Sequence, residues 1–282
     1  MGKGFMKHFF IITNRMRDRD LSVTERIRLY INEHGGEAVM AESTGDKNIR
    51  YTDFSKAPDN IDAVISVGGD GTLIAAARDM ADLDLPILGV NQGNLGYLTD
   101  TDAKTLEDSL CRLIKGDFDI EYRMMLCGQV YDKEGELKGE SRALNDVVLH
   151  TSESLKVVNY LVSVNGSFLG KFPSDGIVVS TPTGSTAYSL SAGGPILEPT
   201  AQMMVITPIC PHMLNTRSMV LDSANHLELR AEDNGIKVYF DGALPLELET
   251  GDRVEIRKSS HVTRIIRTHP GNFYKVLRDK FE

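Results

Sequence analysis

Five consecutive residues, Gly68-Gly69-Asp70-Gly71-Thr72, have the composition of an anion cradle. Glycines let backbone N–H groups come close to an anion and supply positive φ without steric cost. A helix starting at the turn would present its positive end to the same anion. The pentapeptide is neither the lysine-bearing P-loop nor the GxGxxG of a dinucleotide fold. Asp70 is the odd member, because a carboxylate repels phosphate. It could take a proton from an attacking hydroxyl or hold Mg²⁺ against phosphate oxygens. It could also cap the helix as part of a plain tight turn. Five residues alone do not choose among these.

A second constellation is SDGIVVSTPTGSTAYSLSAGGPIL, residues 174–197, in which nine of 24 positions are Ser, Thr or Tyr. They are Ser174, Ser180, Thr181, Thr183, Ser185, Thr186, Tyr188, Ser189 and Ser191, and Gly176, Gly184, Gly193 and Gly194 lie among them. Hydroxyls and free backbone N–H groups suit a ligand rich in hydroxyls, such as a ribose or a nucleotide. Tyr188 offers a flat face for a base and a donor besides. Asp175 could accept from an amino or hydroxyl group. Singly, each residue reads as part of a glycine-rich connection with capping serines. Together they exceed what a connector needs.

Two smaller features follow. Asn145-Asp146 interrupts the apolar run ALNDVVL. One of the pair can point to water, and the other must then find a partner inside. Asn can read an adenine edge with its paired donor and acceptor, and Asp can accept from ribose hydroxyls. A strand end or bulge is the plainer reading. Asp241-Gly242, after Phe240, is a turn signature first and a site candidate second. The seven histidines show no metal-ligand spacing, and His212 alone is a candidate neighbour of a site.

These residues need elements to position them. HFFIIT (8–13) reads as a buried strand, and residues 22–34 as a helix capped by Ser22 or Thr24 and ended by Gly35-Gly36. Residues 37–40 read as a strand, 41–60 as a loop or short helix, and 63–67 as a strand. A helix then starts at Thr72, and 85–91 is another strand. Strand, helix and strand in this rhythm imply a parallel sheet. After Gly116 the pattern becomes β-rich, with hairpin signals at DKEGEL and at Asn165-Gly166. Strands are expected at 119–132, 138–150, 156–164, 167–172, 177–181, 203–209, 226–231, 236–241 and 253–258. Short helices are expected near 184–192 and at 272–281.

Composition bounds the classes. The chain has 282 residues, 41% hydrophobic and 25% charged, with a net charge of −9. That balance speaks against a basic nucleic-acid binder and against a surface built for anionic lipid. No apolar run is long enough to span a membrane. Cys111, Cys127 and Cys210 are far apart and form no CxxC, as expected of thiols in a reducing cytoplasm.

In this order, GGDGT, GVNQGNLGYLTD, ALNDVV and the segment 174–197 resemble the NAD kinase family, over about 62–241 of the chain. GGDGT alone also resembles lipid kinases and, distantly, phosphofructokinase. The resemblance implies an α/β N-terminal domain plus an all-β C-terminal domain. We set these at 1–117, bearing GGDGT, and 118–260, with the tail 261–282 a candidate to pack back on the first. It implies phosphoryl transfer from ATP, polyphosphate or another donor to the adenosine-ribose 2′-hydroxyl of NAD, with Mg²⁺ or another divalent cation accompanying ATP. By that likeness Asp70 would be the catalytic carboxylate, with Gly68, Gly69, Gly71 and Thr72 at the donor. NAD would lie against Asn145, Asp146, Asp175, Ser180, Thr183, Ser185, Thr186, Ala187, Tyr188, Ser189 and Ser191. The likeness also implies a cytoplasmic homodimer or homotetramer, with no nucleic-acid or membrane partner. Two positions depart from the family: Asp146 stands where a Glu is expected, and Ala243 where a Gln or Arg is expected. A lipid or sugar kinase sharing GGDGT, or a non-catalytic nucleotide-binding protein, are the alternatives.

Overall fold

Apolar, β-branched runs become strands buried on both faces, as a parallel sheet requires. The computed structural model describes residues 5–43, 51, 52, 54, 57–93, 96–151, 157–269 and 273–282. The chain divides into two units, Met1–Tyr122 with Thr263–Glu282, and Arg123–Val262.

The first unit holds β1 (His8–Thr13), α1 (Ser22–Glu33), β2 (Glu37–Glu42), β3 (Ala63–Gly68), α2 (Asp70–Asp79), β4 (Pro86–Asn91) and α3 (Leu106–Lys115). The strands run parallel in the order β2-β1-β3-β4, with Phe10 opposite Val39 and Val64, and Ile65 opposite Leu88. Phe9, Ile11, Ile65 and Leu88 pack with Ile27 and Ile31 of α1 and Leu110 and Leu113 of α3. On α2, Leu73 packs on β4 where Gly89 has no side chain; a Cβ there would sit 2.8 Å from Leu73 Cδ1.

Two details differ from expectation. The cap of α1 is neither Ser22 nor Thr24. The Asp18 carboxylate takes the N–H groups of Val23 (3.3 Å) and Thr24 (2.9 Å) and the Thr24 hydroxyl (2.6 Å). An acceptor four residues before the helix thus satisfies donors that a residue at the helix start would otherwise have to satisfy. The second is α3, which sequence reading missed. Its buried Leu106, Leu110, Leu113 and Ile114 follow helical spacing, and Gly116 at φ 69° ends it.

The second unit is antiparallel. Its elements are β5 (Asp119–Tyr131, starting in the first unit), β6 (Leu137–Ala143), β7 (Asp146–Thr151), β8 (Val158–Val164), β9 (Ser167–Ser174) and β10 (Gly176–Ser180). There follow α4 (Tyr188–Ser191), β11 (Met203–Ile209), β12 (Met219–Asp222), β13 (Leu227–Ala231), β14 (Ile236–Phe240) and β15 (Ala243–Leu248). Six strands form one sheet, β12-β11-β10-β7-β14-β15. β16 (Arg253–Arg267) pairs with β13 through its first residues and with β4 through its last. A helix, α5 (Phe273–Phe281), closes the chain. The core packs Tyr160, Val162, Val179, Ile206, Leu229 and Phe240, and Gly128 leaves room for the Phe240 ring. At the Asn165-Gly166 turn both residues have positive φ, 50° and 77°, as a two-residue hairpin needs. β12 and β15 were not foreseen, and β16 is far longer than 253–258.

Among the described residues no helix is long and apolar enough to cross a membrane.

Candidate functional site

In the first unit the glycine turn joins β3 directly to α2. Gly68 is bare because Thr72 Oγ1 would lie 2.3 Å from its Cβ, whereas Gly69 and Gly71 face open space. Of the expected donor residues, the two open glycines therefore leave room for an anion. Thr72 is buried, and its hydroxyl accepts from Asn14 Nδ2 at 3.2 Å, so it braces the turn.

Asp70 sits in the first turn of α2, where helix polarity favours a negative charge. Its carboxylate is wrapped by the segment 96–99. Oδ2 accepts from Tyr97 N at 2.7 Å, and Oδ1 from Leu98 N at 3.1 Å and Thr99 N at 3.2 Å. This supplies the reason for a carboxylate beside an anion cradle. It orders the neighbouring loop while one of its roughly four acceptor positions stays open. Gly96 must be glycine, since a Cβ there would lie 2.0 Å from Asp70 Oδ1.

The same loop is held from the other side. Arg267 donates to the carbonyls of Leu98 (2.9 Å) and Tyr97 (3.4 Å) and pairs with Glu121 at 2.9 Å. Thr268 Oγ1 donates to Asp100 at 2.6 Å, and Arg112 donates to the Thr268 carbonyl at 2.8 Å. Tyr97 is half-buried, with the Phe273 ring of α5 at 6.1 Å and Lys280 Nζ 5.0 Å from its centre. Burial, and then the Asp70 carboxylate, push its phenol up. Sequence reading quoted this loop but gave none of its residues a role; the cue was Gly96 beside an aromatic. Arg78 of α2 is buried and paired with Asp79 at 3.1 Å.

In the second unit the decisive turn is Asp241-Gly242. Both residues have positive φ, 51° and 69°, and form the hairpin turn between β14 and β15. The Asp241 carboxylate accepts from Leu144 N (2.9 Å), Asn145 N (2.7 Å) and Asp146 N (3.2 Å). The Thr181 hydroxyl donates to the Leu144 carbonyl at 2.6 Å, and Thr181 N donates to the Asn145 carbonyl at 2.8 Å. Gly184 is bare against the Asn145 carbonyl, 2.1 Å from where its Cβ would stand. Every backbone group around the Asn145-Asp146 pair is thus tied down.

Their side chains are not. Neither the Asn145 amide nor the Asp146 carboxyl has a hydrogen-bond partner among the described residues, although Asp146 is only 5% exposed. Burial, and then the Asp241 charge, push the Asp146 carboxyl up to about 8. At neutral pH it keeps its proton and both donates and accepts. Across the sheet from it stands Ser180, whose buried hydroxyl also lacks a partner. Adjacent strands put such paired side chains on one face. Buried polar groups left unpaired point to a missing hydrogen-bonding partner.

The expected hydroxyl set divides in two. Thr183, Ser185 and Ser189 are buried and bonded within the protein. Thr183 accepts from Arg123 at 3.0 Å, Ser185 donates to the Pro182 carbonyl at 2.6 Å, and Ser189 pairs with Thr207 at 3.1 Å. These hydroxyls build the loop. Thr186 and Ala187 are half-buried, while Tyr188 and Ser191 are exposed. Burial dominates the rise of the Tyr188 phenol, and Cys210, Asp146 and Asp175 add to it. Asp175, at the β9–β10 junction, has Oδ1 3.7 Å from His212 Nε2. The structure thus brings Asn145, Asp146 and Ser180 together beside the Asp241 carboxylate, and sets Asp175 beside His212 at the other end of β10.

The model of the ATP-NAD kinase N-terminal domain matches residues 9–118, and that of the C-terminal domain matches 144–268. The chain belongs to the NAD kinase family. The NAD kinase of Lachnospira eligens is 40% identical over 293 residues, covering 98% of this chain and all of that protein. The NAD kinase of Citrifermentans bemidjiense is 39% identical over 286 residues, covering 98% and 99%. In fold, the chain is similar to yeast NADH kinase complexed with NADH, with a TM-score of 0.84 at 22% identity over 96% of this chain and 86% of that one. It is also similar to an NAD kinase from Archaeoglobus fulgidus in complex with ATP, with a TM-score of 0.76 at 22% identity over 96% and 98%. The NAD kinase architecture, an α/β N-terminal and a β-rich C-terminal domain, is the one the sequence led us to expect.

Proposed function

We infer that the chain carries the family's reaction: it is an NAD kinase, a phosphotransferase that uses ATP to phosphorylate NAD. The observation that carries the acceptor site is the cluster of Asn145, Asp146 and Ser180: Asn145 is half-buried, Asp146 and Ser180 are buried, and the Ser180 hydroxyl has no partner among the described residues, so a polar ligand would complete its hydrogen bonds. In our reading Asn145, Asp146, Asp175, Ser180, Tyr188 and Ser191 touch NAD, with Thr186 and Ala187 at its edge. Thr183, Ser185 and Ser189 hold the loop that carries them. A neutral Asp146 can donate to a ring nitrogen or accept from a ribose hydroxyl. This versatility offsets the methylene it lacks relative to Glu.

Asp70 orients the 2′-hydroxyl through its open acceptor position and takes its proton as the oxygen–phosphorus bond forms and the donor bond breaks. A general base of this kind contributes about 10²–10⁴-fold. The backbone N–H groups at Gly69 and Gly71 face the donor's phosphate oxygens. A divalent cation would travel with those phosphates and neutralise them. Such an ion would be held mainly by phosphate oxygens and water. We further propose a cytoplasmic homo-oligomer; exposed Phe168 and Leu169 on the β9 edge are candidates for its contact, and sedimentation measures it. NADP formation from NAD and ATP tests the reading. Phosphorylation of a diacylglycerol or a sugar, without NADP, would replace it.

A further inference from the structure

We propose that the second unit carries a separate binding site for a phosphate-bearing small molecule, in a cavity lined by β5, β6, β16 and the turn before β13. The cavity measures about 490 Å³ and is lined by Cys127, Glu140, Arg142, His226, Arg257 and Lys258, together with serines of β16 and of the turn before β13. That volume is in the range of small-molecule sites. None of these residues takes part in the machinery described above, and the inference does not rest on the NAD kinase reading.

The chain has a net charge of −9, yet three permanent cations meet here against one carboxylate, Glu140. His226 adds a fourth basic group, 3.4 Å from Glu255. A concave basic lining on an acidic protein focuses potential on anions. Guanidinium groups bind phosphate in a planar, paired geometry that an ammonium lacks, so two arginines and a lysine select phosphate over simple anions.

Cys127 and Arg142 are directly opposite on the β5–β6 ladder, and Gln129 stands opposite Glu140. Arg257 reaches the same hairpin, with Nη2 3.4 Å from Gln129 Oε1, and Lys258 is anchored to Gln202 at 2.6 Å. The Cys127 thiol feels them. Burial pushes it up and Glu140 adds to that, while Arg257 and Arg142 pull it down. Both guanidinium groups therefore lie at the thiol, from two different strands.

Cys127 supplies the readout. With Cys111→Ser and Cys210→Ser it is the only thiol, and its labelling by methyl methanethiosulfonate reports access to the cavity. Inorganic pyrophosphate is the probe, with NaCl of matched ionic strength as control. We expect pyrophosphate to slow labelling at least fivefold and to saturate. In Arg257→Gln/Lys258→Gln the half-effect concentration should rise tenfold or more, with kcat for NAD phosphorylation unchanged. Equal slowing by NaCl, or equal protection in the double variant, would overturn the proposal. Should that variant fail to fold, Arg257→Lys, which keeps the charge and loses the paired geometry, should weaken protection at least threefold, and unchanged protection would count against the site.

Discussion

Replacing Asp241 by Asn removes one charge and keeps the shape of the side chain. The backbone there has φ 51°, a conformation Asn tolerates and Ala does not, so the variant adds no strain. In the wild type Oδ1 takes the N–H groups of Asn145 and Asp146, and Oδ2 takes that of Leu144. The amide oxygen can keep the first two. The amide NH₂ then faces Leu144 N–H, donor against donor, and one hydrogen bond to a charged acceptor is lost. Such a bond is worth about 1.5–3 kcal/mol. At about 2–4 °C per kcal/mol for a chain approaching this size, Tm falls by roughly 3–12 °C. Because the anchored segment carries the Asn145 and Asp146 side chains, KM for NAD rises about tenfold, equivalent to about 1.4 kcal/mol, and KM for ATP stays put. Thermal melts and steady-state kinetics with each substrate varied make the comparison. A variant that melts within 1 °C of wild type and binds NAD normally would refute the positioning role of Asp241.

Three further outcomes follow from single contacts. Gly96→Ala puts a methyl 2.0 Å from where Asp70 Oδ1 stands, so the carboxylate or its loop must move; kcat should fall by about 10²-fold or more, and a near-normal rate would mean that the loop geometry is irrelevant to turnover. Asp146 has its carboxyl raised to about 8 against about 3.9 unfolded, so the stability it contributes is full below pH 4 and is lost as pH rises towards 8. Asp146→Asn lacks that loss, and melts of the two proteins from pH 5 to 8 should diverge; parallel curves would contradict the raised carboxyl. Ser189→Ala breaks a buried hydroxyl pair with Thr207 and should cost about 1–3 kcal/mol with KM for NAD little changed, whereas Ser191→Ala should leave Tm alone and raise KM; the reverse pattern would exchange their roles.

Much of this was legible in the residues. The buried strands at 8–13 and 63–67, the glycine turn and the Asn165-Gly166 hairpin all have local causes, so local sequence reveals them. What escaped depended on tertiary partners or on weaker patterns. α3 did have a readable signal in Leu106, Leu110 and Leu113, which its charged neighbours masked. Asp18, capping α1 from outside, and Arg267, bracing Tyr97 and Leu98 from 169 or more residues away in sequence, leave no local trace. The hydroxyl-rich segment shows the same limit. Composition marks nine hydroxyls alike, but only packing decides that Ser185 and Ser189 turn inward while Ser191 stays exposed. Asp241-Gly242 was correctly read as a turn, yet nothing in the dipeptide shows that its carboxylate holds residues 144–146.

Asp70 as the catalytic carboxylate is tested most directly by NADP formation from NAD, ATP and Mg²⁺, comparing wild type with Asp70→Asn and measuring NAD affinity on both. A fall in kcat of about 10²–10⁴-fold with NAD affinity kept is the predicted result. Turnover of the variant within a few-fold of wild type would contradict it and leave Asp70 only its part in ordering residues 97–99.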